Sequence, residues 1–300
     1  MNFLHKTPSR NLGILLLVLV TLIWGTTFPG VKIVTRVLSP SELVAARFLL
    51  SAVLLAPFLR FSSGLLWRDG AICGVLLFAS FLSQAIGIQH ISSGRAAFIT
   101  GLNVIFVPLA LPFLGKSVPK VAFLAAFLAL FGIGVMSFDA GALTFSISDL
   151  WTLGCAISYA AYVLVLDRVS SRHNSLGFSA VQVLVVGILG GLWALPGLLE
   201  HGIPKALLGS SLLPVLYLGI VAAGLTTVLQ TFAQKAVPAF QAAVLYSLEP
   251  VFAVVFSYFW LAEVLNLRGW IGAGLVLGAM ILSQIPTREP VNLTRELETV

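Results

Sequence analysis

Uncharged polar and aromatic side chains recur at helical spacing inside the longest apolar stretches of this chain. The sets that share a helix face in this way are Thr100 with Asn103, Tyr159 with Tyr162, Thr226 with Gln230 and Gln234, and Tyr246 with Glu249. Polar groups within apolar helices are costly, so they face the interior of a helix bundle or a water-filled cavity. Together with Trp24 and Gln84, these groups could line one cavity that offers aromatic faces and uncharged hydrogen bonds.

The candidate substrate-binding residues are Trp24, Gln84, Thr100, Asn103, Tyr159, Tyr162, Gln230, Gln234 and Tyr246. A cavity with such walls suits neutral or zwitterionic solutes of several sizes. The competing interpretation is that the same side chains join neighbouring helices by hydrogen bonds, each of which contributes about 1 kcal/mol. For any single residue the spacing favours neither interpretation.

Glu249 is a carboxylate deep within an apolar stretch, directly before Pro250. A desolvated carboxylate in that position could bind a proton or another cation, which predicts a coupling role. The alternative, which the sequence favours, is structural: Glu249 caps the backbone interrupted at Pro250 or pairs with a Lys or Arg.

Four prolines, Pro29, Pro108, Pro112 and Pro250, lie inside or beside apolar stretches. Each removes a backbone hydrogen bond that lipid cannot replace, so each must face protein or a cavity. We expect kinks at these positions, and we predict hinges at Pro29, Pro108 and Pro250.

Other charged and reactive side chains receive structural interpretations. Arg47 lies within an apolar stretch and must find a partner or extend its guanidinium to the interface, so a structural role is favoured over substrate contact. The remaining assignments are Lys116 and Glu263 as interfacial anchors, His90 as a wetted surface residue, and Cys73 and Cys155 as small core residues.

Phosphate-binding loops, catalytic serine or cysteine arrangements, metal-ligand spacings and dinucleotide fingerprints do not occur in the sequence. The sequence therefore predicts no catalytic residue, no metal and no cofactor.

The composition is that of a membrane protein: 59% of the residues are hydrophobic and 9% are charged, whereas soluble domains carry roughly a quarter charged residues. Apolar runs long enough to cross a hydrocarbon core of ~30 Å predict ten transmembrane helices. The predicted spans are 12–36, 41–59, 70–90, 95–114, 119–138, 149–168, 175–198, 212–234, 239–262 and 267–286.

The distribution of Lys and Arg predicts that both termini are cytoplasmic. With that orientation, eleven of the 17 basic residues fall in inner segments and five at outer ends, while Arg47 lies within a span. Basic residues are scattered singly rather than clustered, so nucleic acid is not an expected partner. Residues 287–300 are predicted to be a cytoplasmic tail.

An internal repeat divides the chain into units at 12–138 and 149–286. At an offset of 147, residues 113–116 and 123–126 correspond to 260–263 and 270–273, and at an offset of 135 residues 22–25 correspond to 157–160. Because five spans are an odd number, the second unit must enter the membrane from the opposite side. The fold class predicted is all-α, with two inverted five-helix repeats, a common construction of secondary transporters.

The segments Trp24-Gly25-Thr26-Thr27-Phe28, Ala46-Arg47-Phe48, Glu249-Pro250-Val251-Phe252 and Ala262-Glu263, in this order, resemble the EamA-type members of the drug/metabolite transporter superfamily. The resemblance extends over about residues 12–286 and implies a ten-helix carrier of small organic metabolites in a bacterial inner membrane. Tyr159-Ala160-Ala161-Tyr162 is similar to the sixth-helix aromatic motif of amino acid exporters of the YddG type, in which Trp stands at the first position.

The expected activity is export of amino acids or related metabolites by alternating access, with a monomer sufficient for the cavity. A multidrug or quaternary amine carrier coupled to protons is the close alternative, and Glu249 is its candidate carboxylate. A lipid-modifying membrane enzyme is the alternative from another class, and it would need a nucleophile or a set of His and carboxylate residues near an interface.

Overall fold

The computed structural model describes residues 7–61, 63–110, 120–139, 142–143, 145–209 and 211–282. These residues form mainly helices, together with two short antiparallel strands, β1 (Phe138–Asp139) and β2 (Ala142–Leu143). Lys116, Pro112 and the predicted tail lie outside the described residues.

The helices of the first half, residues 10–137, are α1 (Arg10–Val34), α2 (Pro40–Leu55), α3 (Gly64–Gly87), α4 (Ser93–Thr100), α5 (Asn103–Leu109) and α6 (Lys120–Ser137). Those of the second half, residues 147–282, are α7 (Ile147–Val169), α8 (Ser175–His201), α9 (Leu212–Leu216), α10 (Thr226–Ala233), α11 (Ala239–Tyr246), α12 (Glu249–Leu261) and α13 (Leu267–Leu282). Short 3₁₀ turns follow α2 (Ala56–Phe61), α7 (Ser170–Arg172) and α8 (Lys205–Leu208), and a π-helix (Tyr217–Leu225) joins α9 to α10.

Six helical segments among the described residues are long and apolar enough to cross a membrane: Arg10–Val34, Pro40–Arg60, Gly64–Gly87, Ile147–Arg172, Ser175–His201 and Leu212–Ala233. Four shorter apolar segments are Ser93–Leu109, Leu124–Val135, Glu249–Leu261 and Leu267–Leu282. Large apolar side chains such as Phe127, Leu199 and Phe259 are exposed, as expected of helices whose solvent is lipid. The protein therefore crosses the membrane several times, and the count of ten spans stays a prediction.

Side-chain caps set where several helices begin. Ser39 and Glu42 form a capping box at α2, in which each side chain accepts a hydrogen bond from the backbone N–H of the other residue. Ser146 and Asp149 form the same arrangement at α7. These caps satisfy backbone donors that have no partner inside the helix.

The two halves pack against one another rather than separately. Helix α2 lies along α8, α3 along α7 and α8, α1 along α12 and α10, and α6 along α13. Glycines allow this close approach of the helices. A Cβ at Gly25 of α1 would overlap Phe252 of α12. A Cβ at Gly190 of α8 would lie 3.0 Å from the backbone nitrogen of Ala45 in α2. The core is consequently shared between the halves.

Four predicted spans differ in detail from the structure. The third helix begins at Gly64, not near residue 70, because the Ser63 hydroxyl accepts from Leu66 N–H and the helix carries Arg68 and Asp69 as an ion pair. The segment predicted as 95–114 is interrupted after Thr100, and 239–262 is interrupted after Tyr246. Within 212–234 the helix widens into the π-helix. The length of an apolar run in the sequence predicts none of these local changes.

Candidate functional site

A small hollow lies between the two halves. Its walls are formed by Trp24, Thr27, Ser80, Phe81, Gln84, Thr100, Cys155, Tyr159 and Glu249. These residues belong to α1, α3 and α4 of the first half and to α7 and α12 of the second. The hollow is therefore an interface site that neither half could form alone.

Helical spacing places the lining residues in short columns. Ser80 and Gln84 are four residues apart on α3, and Cys155 and Tyr159 are four apart on α7. Residues at this separation lie on the same face one above the other. Each of these two columns therefore presents one small and one larger side chain to the hollow.

Three aromatic rings meet at one wall of the hollow. The Trp24 ring lies 5.7 Å from the Tyr159 ring and 5.6 Å from the Tyr246 ring, and the two tyrosine rings are 5.9 Å apart. The Trp24 indole Nε1 donates to Thr226 Oγ1 at 3.1 Å. This contact fixes the indole beside the two tyrosine rings, and aromatic rings favour apolar and cationic groups.

A buried amide holds the tyrosines in place. Gln230 Nε2 lies 2.7 Å from Tyr159 Oη, 3.0 Å from Tyr246 Oη and 3.1 Å from Gln234 Oε1. Tyr246 Oη in turn donates to Gln234 Oε1 at 3.2 Å. All four side chains are buried, and Tyr159 is the member of the network that lines the hollow, so the other three rigidify the wall from behind.

Glu249 lines the hollow at the first turn of α12, and only 6% of the residue is exposed. A helix N-terminus favours a negative charge. Among the described residues, the structure records neither a hydrogen bond nor an ion pair for its carboxylate, so the predicted pairing with Lys or Arg is absent there. Glu249 is also the one carboxylate among the lining residues.

Of the two outcomes expected for Arg47, a partner or extension to the interface, the second does not occur, because the residue is only 2% exposed. Its guanidinium carbon lies 4.8 Å from the centre of the Phe81 ring and 5.3 Å from that of Phe48. Phe81 is one of the lining residues. The guanidinium is therefore placed one phenyl ring behind the wall of the hollow.

Ion pairs join the halves at one end of the bundle, named here the Lys32 end. Lys32 Nζ, near the end of α1, lies 2.7 Å from Glu263 Oε1, just beyond α12. The second carboxylate oxygen of Glu263 accepts from Ser93 N–H at 2.8 Å. Arg95 Nη2 lies 2.8 Å from Asp149 Oδ2. Glu263 is thus an inter-half contact, and its interfacial position stays a prediction.

Polar contacts also join the halves at the other end of the bundle, named here the Asp69 end. Asp69 Oδ2 lies 2.9 Å from His173 Nε2, and both residues are buried. Lys235 Nζ donates to the His173 carbonyl oxygen at 2.8 Å, and burial lowers the pKa of Lys235 to about 8. The 25 residues of α1 separate the two ends by roughly 37 Å at 1.5 Å per residue.

The structure brings together Trp24, Gln84, Thr100, Tyr159 and Glu249 in the wall, with Gln230, Gln234 and Tyr246 behind it. It does not bring Asn103 or Tyr162 to the hollow. Asn103 Nδ2 donates to Thr100 O, and Tyr162 Oη donates to Gln182 Oε1 at 2.9 Å. Their helix-face spacing was a sound indicator of burial but not of exposure to the hollow.

The three predicted hinge prolines have different surroundings. Pro29 and Pro108 lie inside α1 and α5, whereas Pro250 occupies the first turn of α12, where no backbone hydrogen bond is lost. Any hinge at Pro250 therefore consists of the break between α11 and α12 rather than a kink within a helix. His90 is exposed, as expected.

Four lining residues, Thr27, Ser80, Phe81 and Cys155, were missed or interpreted otherwise from the sequence. Thr27 and Ser80 carry a usable signal, since they lie three and four residues from Trp24 and Gln84. Cys155 is buried as expected but also faces the hollow. Phe81 carries no such signal, because a phenylalanine in an apolar run is equally suited to lipid.

Comparison with known proteins places this geometry in a family. The EamA-like transporter family matches residues 11–138 and 146–284. An uncharacterized transporter of Archaeoglobus fulgidus is 31% identical over 267 residues, which cover 89% of this chain and 83% of that relative. The uncharacterized transporters YdfC and YwfM of Bacillus subtilis are 24% and 26% identical, over 88% and 93% of this chain and 88% and 96% of theirs.

The fold also occurs among solved structures. One crystal structure, 18% identical in sequence, superposes with a TM-score of 0.67 over 97% of this chain and 100% of its own. The chain belongs to the EamA-like transporter family, which confirms the resemblance seen in the sequence. It is a multi-pass membrane transporter.

Proposed function

We propose that this transporter exports amino acids with neutral side chains, and related small metabolites, across a bacterial inner membrane. The observation that carries the proposal is the hollow between the two halves, with aromatic walls, uncharged hydrogen-bonding groups and one carboxylate. The aromatic and uncharged polar groups that line it suit a small neutral or zwitterionic solute. The hollow lies within one chain, so a monomer is sufficient.

Alternating access is the proposed mechanism. The hollow lies between the Lys32 end and the Asp69 end, and polar contacts between the halves occur at both. Breaking the contacts at one end while keeping those at the other would expose the hollow to one side at a time. Transport down the outward gradient of the substrate needs no coupling ion in this scheme.

The proposed architecture is ten spans in two inverted repeats. It is supported by the exchange of helix contacts between the halves: α1 packs on α10 as α3 packs on α7, and α4 packs on α12 as α5 packs on α11. Such reciprocal pairs are expected when one half repeats the other in reverse orientation. The excess of Lys and Arg in the predicted inner segments supports cytoplasmic termini, with the Asp69 end inside.

A proton-coupled carrier of quaternary amines or other cationic drugs is the second candidate. The observation that favours it is the Glu249 carboxylate beside aromatic rings, since cations bind to both kinds of group. A lipid-modifying enzyme is the candidate from another class, and chemical conversion of a lipid or metabolite by the purified protein would favour it.

Counterflow in reconstituted vesicles tests these proposals together. Vesicles are loaded in turn with each of the common amino acids, with organic acids and with cationic dyes, and uptake of the labelled compound is measured. We expect saturable counterflow of neutral amino acids without a pH gradient. Counterflow of dyes alone, in proportion to a pH gradient, would replace the amino acid proposal by the drug carrier, and flux without saturation would indicate a channel.

A further inference from the structure

Arg47 is a buried cation with two guanidinium nitrogen atoms that lack hydrogen-bond partners. The structure gives no hydrogen-bond partner to its Nε and Nη2 atoms, and the residue is 2% exposed. Its guanidinium lies over the aromatic rings of Phe48 and Phe81. Two phenyl faces offset part of the desolvation of a guanidinium, but they accept none of its N–H bonds in the plane of the group.

Phe81 contacts both this cation and the hollow. Its half-buried ring lines the hollow, and the centre of the ring lies 4.8 Å from the Arg47 guanidinium carbon. A rotation of this one side chain would therefore open the guanidinium to a solute. The planar pair of N–H groups has the geometry that binds a carboxylate with two parallel hydrogen bonds.

The hollow thus has two side chains of opposite charge type beside it, and neither the Glu249 carboxyl nor the Nε and Nη2 atoms of Arg47 have hydrogen-bonded partners among the described residues. Glu249 lies in its wall, and Arg47 lies one ring behind its wall. Two such charges do not complement a simple cation, because Arg47 would repel it, nor a simple anion, because Glu249 would repel it. They complement a molecule that carries both charges on one short backbone.

We propose that Arg47 is the subsite for the carboxylate of a zwitterionic α-amino acid, with Phe81 moving aside when substrate binds and Glu249 receiving the ammonium group. This inference rests on the proposed transport function and names its substrate class more narrowly. It also assigns to Phe81 a role in selecting substrates, because only a group that binds Arg47 compensates for displacing the ring.

The experiment compares each free amino acid with its methyl ester at a pH of about 6, below the pKa of the α-amino group, so that the ester keeps the ammonium group and loses the negative charge. The full chain is reconstituted in vesicles, the amino acid with the strongest counterflow is taken as the labelled probe, and inhibition by the unlabelled acid and ester is measured. We expect the free acid to inhibit roughly tenfold to a hundredfold more strongly, as befits loss of a charge-assisted pair.

Variants assign that preference to Arg47. Arg47→Met is expected to weaken inhibition by the free acid until it equals that by the ester, which itself changes little. Arg47→Lys keeps the charge without the planar fork and is expected to retain part of the preference. Arg172→Met, at an exposed arginine of the same charge, is the matched control and is expected to behave as the wild type.

The outcomes separate the inference from the transport function. Equal inhibition by acid and ester in the wild type overturns the Arg47 subsite while leaving amino acid transport intact, and it does so even if Arg47→Met fails to fold. A preserved preference in Arg47→Met overturns it as well. Counterflow of cationic dyes without any amino acid overturns both the subsite and the amino acid proposal, and no counterflow of any compound removes the transport proposal itself.

Discussion

Lys32 and Glu263 connect the end of α1 to the segment just after α12, with 2.7 Å between Nζ and Oε1. Both side chains are about one-fifth exposed, so the pair lies at a rim that solvent can reach. The carboxylate also accepts from Ser93 N–H at the start of α4. One residue therefore holds three helices together at the Lys32 end.

Removing the charge of Glu263 should open that end of the bundle. The change Glu263→Gln weakens a pair of this kind by about 1 kcal/mol, which corresponds to roughly a fivefold change in the population of the closed state. Cys155 lines the hollow and reports on access. In a Cys73→Ala background, which leaves Cys155 as the single cysteine, a membrane-impermeant maleimide added at the Lys32 end should label it about fivefold faster.

Glu200→Gln is the control for this measurement, because Glu200 lies near the end of α8 and its side chain is 73% exposed. Labelling from the Asp69 end should not rise in Glu263→Gln. Equal labelling rates in Glu263→Gln and the parent protein would show that the ion pair does not hold the end closed.

Glu249→Gln should weaken binding of the ammonium group without changing the response to a pH gradient. The carboxylate lines the hollow and has no recorded partner among the described residues, so a substrate ammonium would be its counter-charge. Loss of this charge-assisted contact is expected to weaken both an amino acid and its methyl ester by roughly tenfold. The measurement is counterflow inhibition at equal and at unequal internal and external pH. If a pH gradient drives flux through the wild type but has no effect on flux through Glu249→Gln, then Glu249 is instead assigned to proton coupling.

The sequence predicted where helices lie better than where they are interrupted. Span positions follow from hydrophobic length, and α8 begins at the predicted residue, Ser175. The break after Tyr246 precedes Pro250, at which the sequence predicts a kink, whereas the break after Thr100 has no such local signal.

The same distinction applies to the hollow. Polar residues at helical spacing identified Trp24, Gln84 and Tyr159, because a polar group in an apolar helix must be buried. The sequence did not identify the contact between Arg47 and Phe81, since each residue alone is compatible with several environments. Only the packing of α2 beside α3 gives that pair its meaning.

Gln230 should be essential for the wall of the hollow. Gln230→Leu removes the amide nitrogen that lies within hydrogen-bond distance of Tyr159, Gln234 and Tyr246. Buried hydrogen bonds between membrane helices contribute about 0.6 to 1.7 kcal/mol each, so we expect a loss of about 2 kcal/mol in the free energy of unfolding. The freed tyrosines should also weaken amino acid inhibition of counterflow.

Gln182→Leu is the matched control, because Gln182 is likewise buried and accepts from Tyr162, away from the hollow. Unfolding of the two variants in detergent should show a similar loss of stability. Only Gln230→Leu should change the concentration of amino acid needed for inhibition, and an equal change in both variants would refute a specific role for the Gln230 network.

Lys235 should make stability depend on pH at the Asp69 end. Burial lowers its pKa from 10.5 to about 8, so folding favours the neutral amine. Below pH 8 the folded protein carries the full cost of keeping Lys235 charged. That cost declines as pH rises from about 8 toward 10.5, since the unfolded chain still binds a proton there while the folded one releases it.

The change Lys235→Met removes this dependence together with the hydrogen bond to the His173 carbonyl oxygen. Loss of the hydrogen bond lowers the stability of Lys235→Met by a similar amount at every pH, whereas the protonation effect varies with pH. The change with pH in the difference between the two melting temperatures therefore reports protonation alone. We expect the melting temperature of the wild type minus that of Lys235→Met to be larger at pH 9.5 than at pH 7. Arg172→Met, which removes an exposed cation near the same end, should give a difference that does not change over this range. A wild-type advantage that shrinks as pH rises would show that the charged form is the one stabilised by its surroundings, and would contradict the burial of this amine.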